Sequence, residues 1–142
     1  MIGLLIVTHG NFGQALLNSA ELITGRISGV EVLAIDNSLT MEEIVNKLEK
    51  IVDSLDQGKG VMILTDMFGG TPTTLSLSLL GKQKKIEVVT GVNLPMLIKA
   101  ASLDRDKNQL TEIAQELKQA GIQSIKVAGE ILGKKINVGT HR

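Results

Sequence analysis

An α/β fold with a single open, mostly parallel sheet is what this sequence predicts, and three observations predict it. Four apolar runs of strand length recur along 142 residues: "IGLLIV" at 2–7, "VEVLAI" at 30–35, "GVMILT" at 60–65 and "IEVVT" at 86–90. Segments with helical spacing separate them, the βαβ signature of parallel strands joined by crossovers. The length suits one domain, and a hydrophobic content of 43% is enough for a real core. The expected architecture is one domain over residues 1–142, with four to five strands in the order 2-1-3-4 and helices on both faces. No further domain or linker is expected.

Each element has a local cause. The first run ends at Thr8-His9-Gly10, and a helix is expected from about Asn11 to Ile23. Leu16, Ala20 and Ile23 should face inward, with Gly25 just past its end. Between the second and third runs, Thr40-Met41-Glu42-Glu43 reads as a capping box. Thr40 can accept from the third helical amide while Glu43 reaches back, and Ile44, Leu48, Ile51, Val52 and Leu55 form one apolar face. The stretch "TTLSLSLL" at 73–80 alternates like a strand, but Thr71-Pro72 is a good helix entry, and a parallel crossover is required there. Context selects helix. "GVNLP" at 91–95 is another strand-to-helix turn. A last helix should span Leu110 to Ala120, with Ile113, Ala114 and Leu117 inward and Gly121 as its stop. Ser124 to Ala128 alternates Ile125 and Val127 with polar residues, which predicts an edge strand with one wet face. Such a strand is free to run antiparallel or to pair with a second subunit.

Composition narrows the function. Fifteen basic residues balance fifteen acidic ones, so no overall field draws in nucleic acid or an anionic membrane. Cysteine is absent, which removes disulfides, thiolate nucleophiles and thiolate zinc sites and fits a reducing compartment. The first apolar run lacks the basic start of a signal peptide, and no run approaches membrane-span length. The reading is cytoplasmic. Phe12 and Phe68 are the only aromatics, too few for base- or flavin-stacking surfaces.

In open α/β sheets ligands bind outside the carboxyl ends of the strands, where the winding reverses; for this order that is between the first and third strands. His9 ends the first and Asp66 the third, so the two are expected to face each other. A carboxylate on one ring nitrogen fixes the tautomer and leaves the other as a lone-pair nucleophile. Helices beginning after "HGN" and "MFGGT" would offer free amides to a phosphate, each worth about 0.3–1 kcal/mol. Gly69 and Gly70 let backbone approach an anion. No metal or cofactor is assigned.

These residues carry a resemblance. "IVTHGNFGQALLNSAELITG", "ILTDMFGGTPTTLSL" and "VVTGVNLPML" resemble enzyme IIA of the mannose family in the bacterial phosphoenolpyruvate-dependent sugar phosphotransferase system, over essentially the whole chain. The resemblance implies that His9 takes a phosphoryl group from the carrier HPr and passes it to a IIB component for sugar uptake. It makes Asp66 the orienting acid and gives Gly10, Thr65, Phe68, Gly69, Gly70 and Thr71 as the lining of the site. It also implies a homodimer that can exchange its C-terminal strand, and a membrane relation only through permease subunits. A IIB domain is not expected within this chain.

Other functions fit less well. A phosphohistidine mutase would place Arg where Thr8 stands. A metal chelatase would need a second internal histidine, and only His141 is available. A receiver domain would need magnesium-binding acids after the first strand. Asp36 sits where dinucleotide folds bind a ribose, but "HGNFG" is not their glycine motif. Lys82, Lys84 and Lys85 read as a solvated turn, and His141 as incidental. Two alternatives share the site: a regulatory sensor of phosphorylation state, and the phosphotransfer subunit of a dihydroxyacetone kinase.

Overall fold

A computed structural model of the protein describes residues 1–67, 69–82 and 85–136. Its sheet has four parallel strands: β1 (Gly3–His9), β2 (Val30–Ile35), β3 (Val61–Thr65) and β4 (Ile86–Thr90). Their order is β2-β1-β3-β4, as expected. The helices are α1 (Phe12–Thr24), α2 (Met41–Leu55), α3 (Thr71–Ser78), α4 (Leu94–Ser102), α5 (Leu110–Gln123) and α6 (Ala128–Ile136), and a 3-10 turn at Leu79–Lys82 follows α3.

The two faces of the sheet follow from the period of two along a strand. Leu4 and Ile6 of β1, with Met62 and Leu64 of β3, enter one core with Leu17, Ala20, Leu97, Ile113 and Leu117. Leu5 and Val7, with Val61 and Ile63, enter the other with Ile44, Leu48, Val52 and Leu75. Helices α1, α4 and α5 therefore cover one side, and α2 and α3 the other. Both central strands are buried on both faces, which is why their sequences read as continuous apolar runs.

The α2 entry is built as its sequence states. Thr40 accepts from the Glu43 amide at 3.1 Å, and Glu43 accepts from the Thr40 amide at 2.9 Å. These hydrogen bonds to Thr40 outweigh the small desolvation and hold the exposed Glu43 carboxyl below its usual range.

Three expectations are corrected. Ile23 points outward and is 62% exposed, while Gly13, Leu17 and Ala20 are buried. At about 100° per residue Ile23 lies roughly 90° from the centre of that stripe. Gly121 does not stop α5, which continues to Gln123. A Cβ there would stand 3.0 Å from Met96 Cε, so this glycine lets α5 pass close over the start of α4. Ser124–Val127 forms no strand: the Ile125 amide bonds back to Ile122 O at 3.2 Å, and α6 starts at Ala128. The segment leaves α5 in a turn rather than paired along β4, and Ile125 and Val127 are exposed. Of the expected basic turn, Lys82 pairs with Glu49 at 2.6 Å and Lys85 is exposed, while Lys84 and His141 lie outside the described residues.

Candidate functional site

Strand register sets the site. Val7 of β1 pairs with Thr65 of β3, so His9 and Asp66 emerge side by side where these strands end. The period of two that sends Leu5 and Val7 toward α2 and α3 sends His9 the same way. There it meets Gly70, the residue that begins α3; a Cβ on Gly70 would lie 3.0 Å from His9 Cε1 and 3.7 Å from Nε2.

The imidazole is held from one side. His9 Nδ1 lies 2.7 Å from Asp66 Oδ2, and the same oxygen accepts the His9 main-chain N–H at 2.9 Å. A carboxylate can only accept, so Nδ1 carries the proton and Nε2 keeps its lone pair. The His9 side chain is 52% exposed, whereas its acid is 14% exposed. Burial alone would raise the Asp66 pKa. The hydrogen bonds from His9, its charge and the nearby Met67 amide outweigh that burial and hold the carboxyl below its ordinary value. Its second oxygen, Oδ1, is buried with no hydrogen-bond partner among the described residues.

The helix starts supply donors. Asn11 makes no side-chain cap for α1, and Gly70 has none to offer α3. Thr8, which faces away from His9 along β1, accepts from the Gly13 amide at 2.8 Å and is fully buried. The other first-turn amides of both helices lack intrahelical partners and lie at the end of the sheet where His9 emerges. That arrangement suits an anion arriving at Nε2.

The remaining expected residues divide. Gly10 turns the chain after β1 with φ +52° and donates to Ile35 O at 2.8 Å. Gly69 has φ +83°, a conformation favouring glycine. Thr71 opens α3, followed by Pro72. Thr65 is fully buried, its hydroxyl 2.5 Å from that of Thr73 and not in the cleft. Phe68 lies outside the described residues. In the "GVNLP" turn, Asn93 caps α4 by accepting from Met96 N at 3.1 Å, and the Val92 amide bonds to Thr65 O at 2.9 Å. Sequence reading missed Thr73, whose only signal was its place directly after Pro72.

Among the described residues no group of three or more His, Asp or Glu side chains is placed to hold a metal ion. No helix among them is long and apolar enough to cross a membrane.

Comparison with known proteins places this chain in a family. The model of the PTS system fructose IIA component family, EIIA-man, matches residues 3–118. The fructose-specific EIIA component of the PTS of Bacillus subtilis is 29% identical over 134 residues, covering 94% of this chain and 91% of that one. The mannose-specific EIIAB component of Escherichia coli K12 is 30% identical over 128 residues, covering 88% of this chain and 40% of that longer protein. Among solved structures, the phosphotransferase system component EIIA of Streptococcus agalactiae superposes with a TM-score of 0.82 at 29% identity, covering 92% of this chain and 99% of the other. On that match and the shared fold, this chain belongs to the mannose/fructose family of PTS IIA components.

Proposed function

We propose that the protein is a phosphoryl carrier that accepts a phosphoryl group on Nε2 of His9 from HPr and hands it to a IIB component for sugar uptake. PTS IIA components are phosphotransferases in the general sense, and the specific steps assigned here are our reading. One observation carries it: Asp66 holds Nδ1 at 2.7 Å, which leaves Nε2 as the ring's free nucleophile beside Gly70.

In the transfer, the P–N bond to the donor histidine breaks as a P–N bond to Nε2 forms in line with it. The proton on Nδ1 stays in its bond to Asp66, which stabilises the charge the ring acquires. The first-turn amides of α1 and α3, with Gly69, Gly70 and Thr71, receive the phosphoryl oxygens. Positioning and fixed dipoles of this kind supply most of what phosphoryl transfer requires. Phe12 and Met67, 47% and 54% exposed, give the rim an apolar surface suited to a protein partner.

The protein works as a cytoplasmic homodimer in this reading. Among the described residues β4 is an edge strand, and it borders a groove of about 560 Å³ lined by Val89, Met96, Ile122 and Ile125, a surface that a second copy can cover. The deciding experiment labels the protein with phosphoenolpyruvate, enzyme I and HPr. Wild type should take up one acid-labile phosphate and His9→Ala none; labelling of His9→Ala refutes the assignment.

A further inference from the structure

The loop that carries Asp66 and Gly70 is tied down by two hydroxyl groups that lie beneath it. Thr73 Oγ1 stands 2.6 Å from the Met67 carbonyl and 2.5 Å from Thr65 Oγ1. A hydroxyl has one proton and a carbonyl none to give, so the proton of Thr73 goes to Met67 O. Thr65 must then donate to Thr73, and the direction of the chain is fixed. Both threonines are buried, at 0% and 1% exposure. The Thr65 carbonyl is itself held by the Val92 amide. A chain of contacts therefore runs from the turn after β4, through Thr65 at the tip of β3 and Thr73 in the first turn of α3, to the residue that follows Asp66.

We infer that Thr73, with Thr65 as its donor, is a positioning residue of the carrier: it holds the Met67 peptide, next to Asp66, so that the acid stays on Nδ1 of His9 and Gly70 stays against the ring. The inference rests on the phosphoryl-carrier reading for its kinetic consequence, but not for its structural one. Both side chains are buried, and their hydrogen bonds lead to the Met67 peptide. A buried polar pair of this kind fixes geometry because each member loses its partner if the other moves.

The test uses Thr73→Val, which keeps the shape and removes the hydroxyl, and Thr73→Ser, which keeps the hydroxyl. The readouts are the rate of phosphoryl uptake from phospho-HPr and ring-nitrogen NMR of His9 in the unphosphorylated protein. Thr73→Val should lower the rate about tenfold or more and reduce the fraction of His9 in the Nδ1–H tautomer; Thr73→Ser should restore both. Wild-type values of either readout in Thr73→Val overturn the inference, as does failure of Thr73→Ser to rescue. Should Thr73→Val not fold, the double variant Thr65→Val, Thr73→Val replaces both partners with apolar isosteres, and an unchanged His9 spectrum in it likewise overturns the inference. If wild type itself takes no label, the carrier reading falls while the NMR comparison still decides the role of Thr73.

Discussion

Replacing Gly70 by alanine separates chemistry from folding. Gly70 has φ −81° and ψ 168°, a backbone any residue adopts, so the substitution brings no conformational strain. It removes freedom from the unfolded chain, worth about 0.4–1 kcal/mol in favour of the folded state. The new methyl would stand 3.0 Å from His9 Cε1 and 3.2 Å from Met67 Cγ. Carbon atoms settle at about 3.5–4.0 Å, so the ring or the loop must yield by roughly 0.5–1 Å. Displacements of that size at a reacting centre cost up to about a hundredfold in rate, and the methyl also stands 3.7 Å from Nε2, where the phosphoryl group must arrive. The expected outcome is a thermal midpoint equal to or slightly above wild type, with uptake from phospho-HPr slowed about ten- to a hundredfold. Gly69→Ala makes the matched control. No atom stands within 4 Å of its Cβ position, but φ is +83°, so it should lose about 1–2 kcal/mol of stability without crowding the imidazole. If Gly70→Ala transfers at the wild-type rate, the placement of the phosphoryl group between Nε2 and the start of α3 is refuted.

Other substitutions probe the rest of the design. Asp66→Asn should leave the fold intact, as read by circular dichroism, and slow phosphoryl uptake roughly a hundredfold or more, because an amide no longer enforces the Nδ1–H tautomer. The acid branch of stability should also report on Asp66. Its carboxyl is held below the ordinary value near 3.8, so its contribution is present above the unfolded-state pKa of about 3.9 and is lost as pH falls through the lower folded value. Denaturant titrations of wild type and Asp66→Asn should accordingly converge as pH falls from about 5 into stronger acid; a gap that persists undiminished through that range would contradict the pairing. Thr40→Ala breaks a capping box whose hydrogen bonds involve only Thr40 and Glu43. It should cost about 1 kcal/mol, or roughly 2–5 °C of thermal midpoint, with no change in labelling rate.

Much of the fold was legible because its signals are local. β1 and β3 are buried on both faces, so they appear as unbroken apolar runs, and the Thr40–Glu43 box announces α2 by itself. The pairing of His9 with Asp66 was legible for a different reason: parallel topology brings the ends of the first and third strands together whatever lies between them. What could not be read depends on three-dimensional contacts. The phase of α1 is set by close approach to β1, where a Cβ on Gly13 would stand 2.9 Å from Ile6 Cγ2, and a glycine carries no hydrophobic signal. Gly121 looked like a helix stop because glycine serves both as a terminator and as a place for helices to pack closely. Thr73 acts through a turn that folds back on the start of its own helix, and Arg105 through carbonyl groups distant in sequence. Arg105, 7% exposed, donates to Ile2 O at 2.7 Å and to Ser28 O at the opposite end of the sheet. Burial depresses its pKa, and Asp106 offsets part of that effect.

The distance of 57 positions between the imidazole and its acid has a consequence for the newly made chain. As the polypeptide leaves the ribosome, β1 and β2 can pair before β3 has been synthesised, and the histidine then stands exposed without a carboxylate. The His9–Asp66 pair is complete only when β3 takes its place between β1 and β4. In the carrier reading, fragments that end before Asp66 would therefore react with a phosphate donor far more slowly than the finished chain.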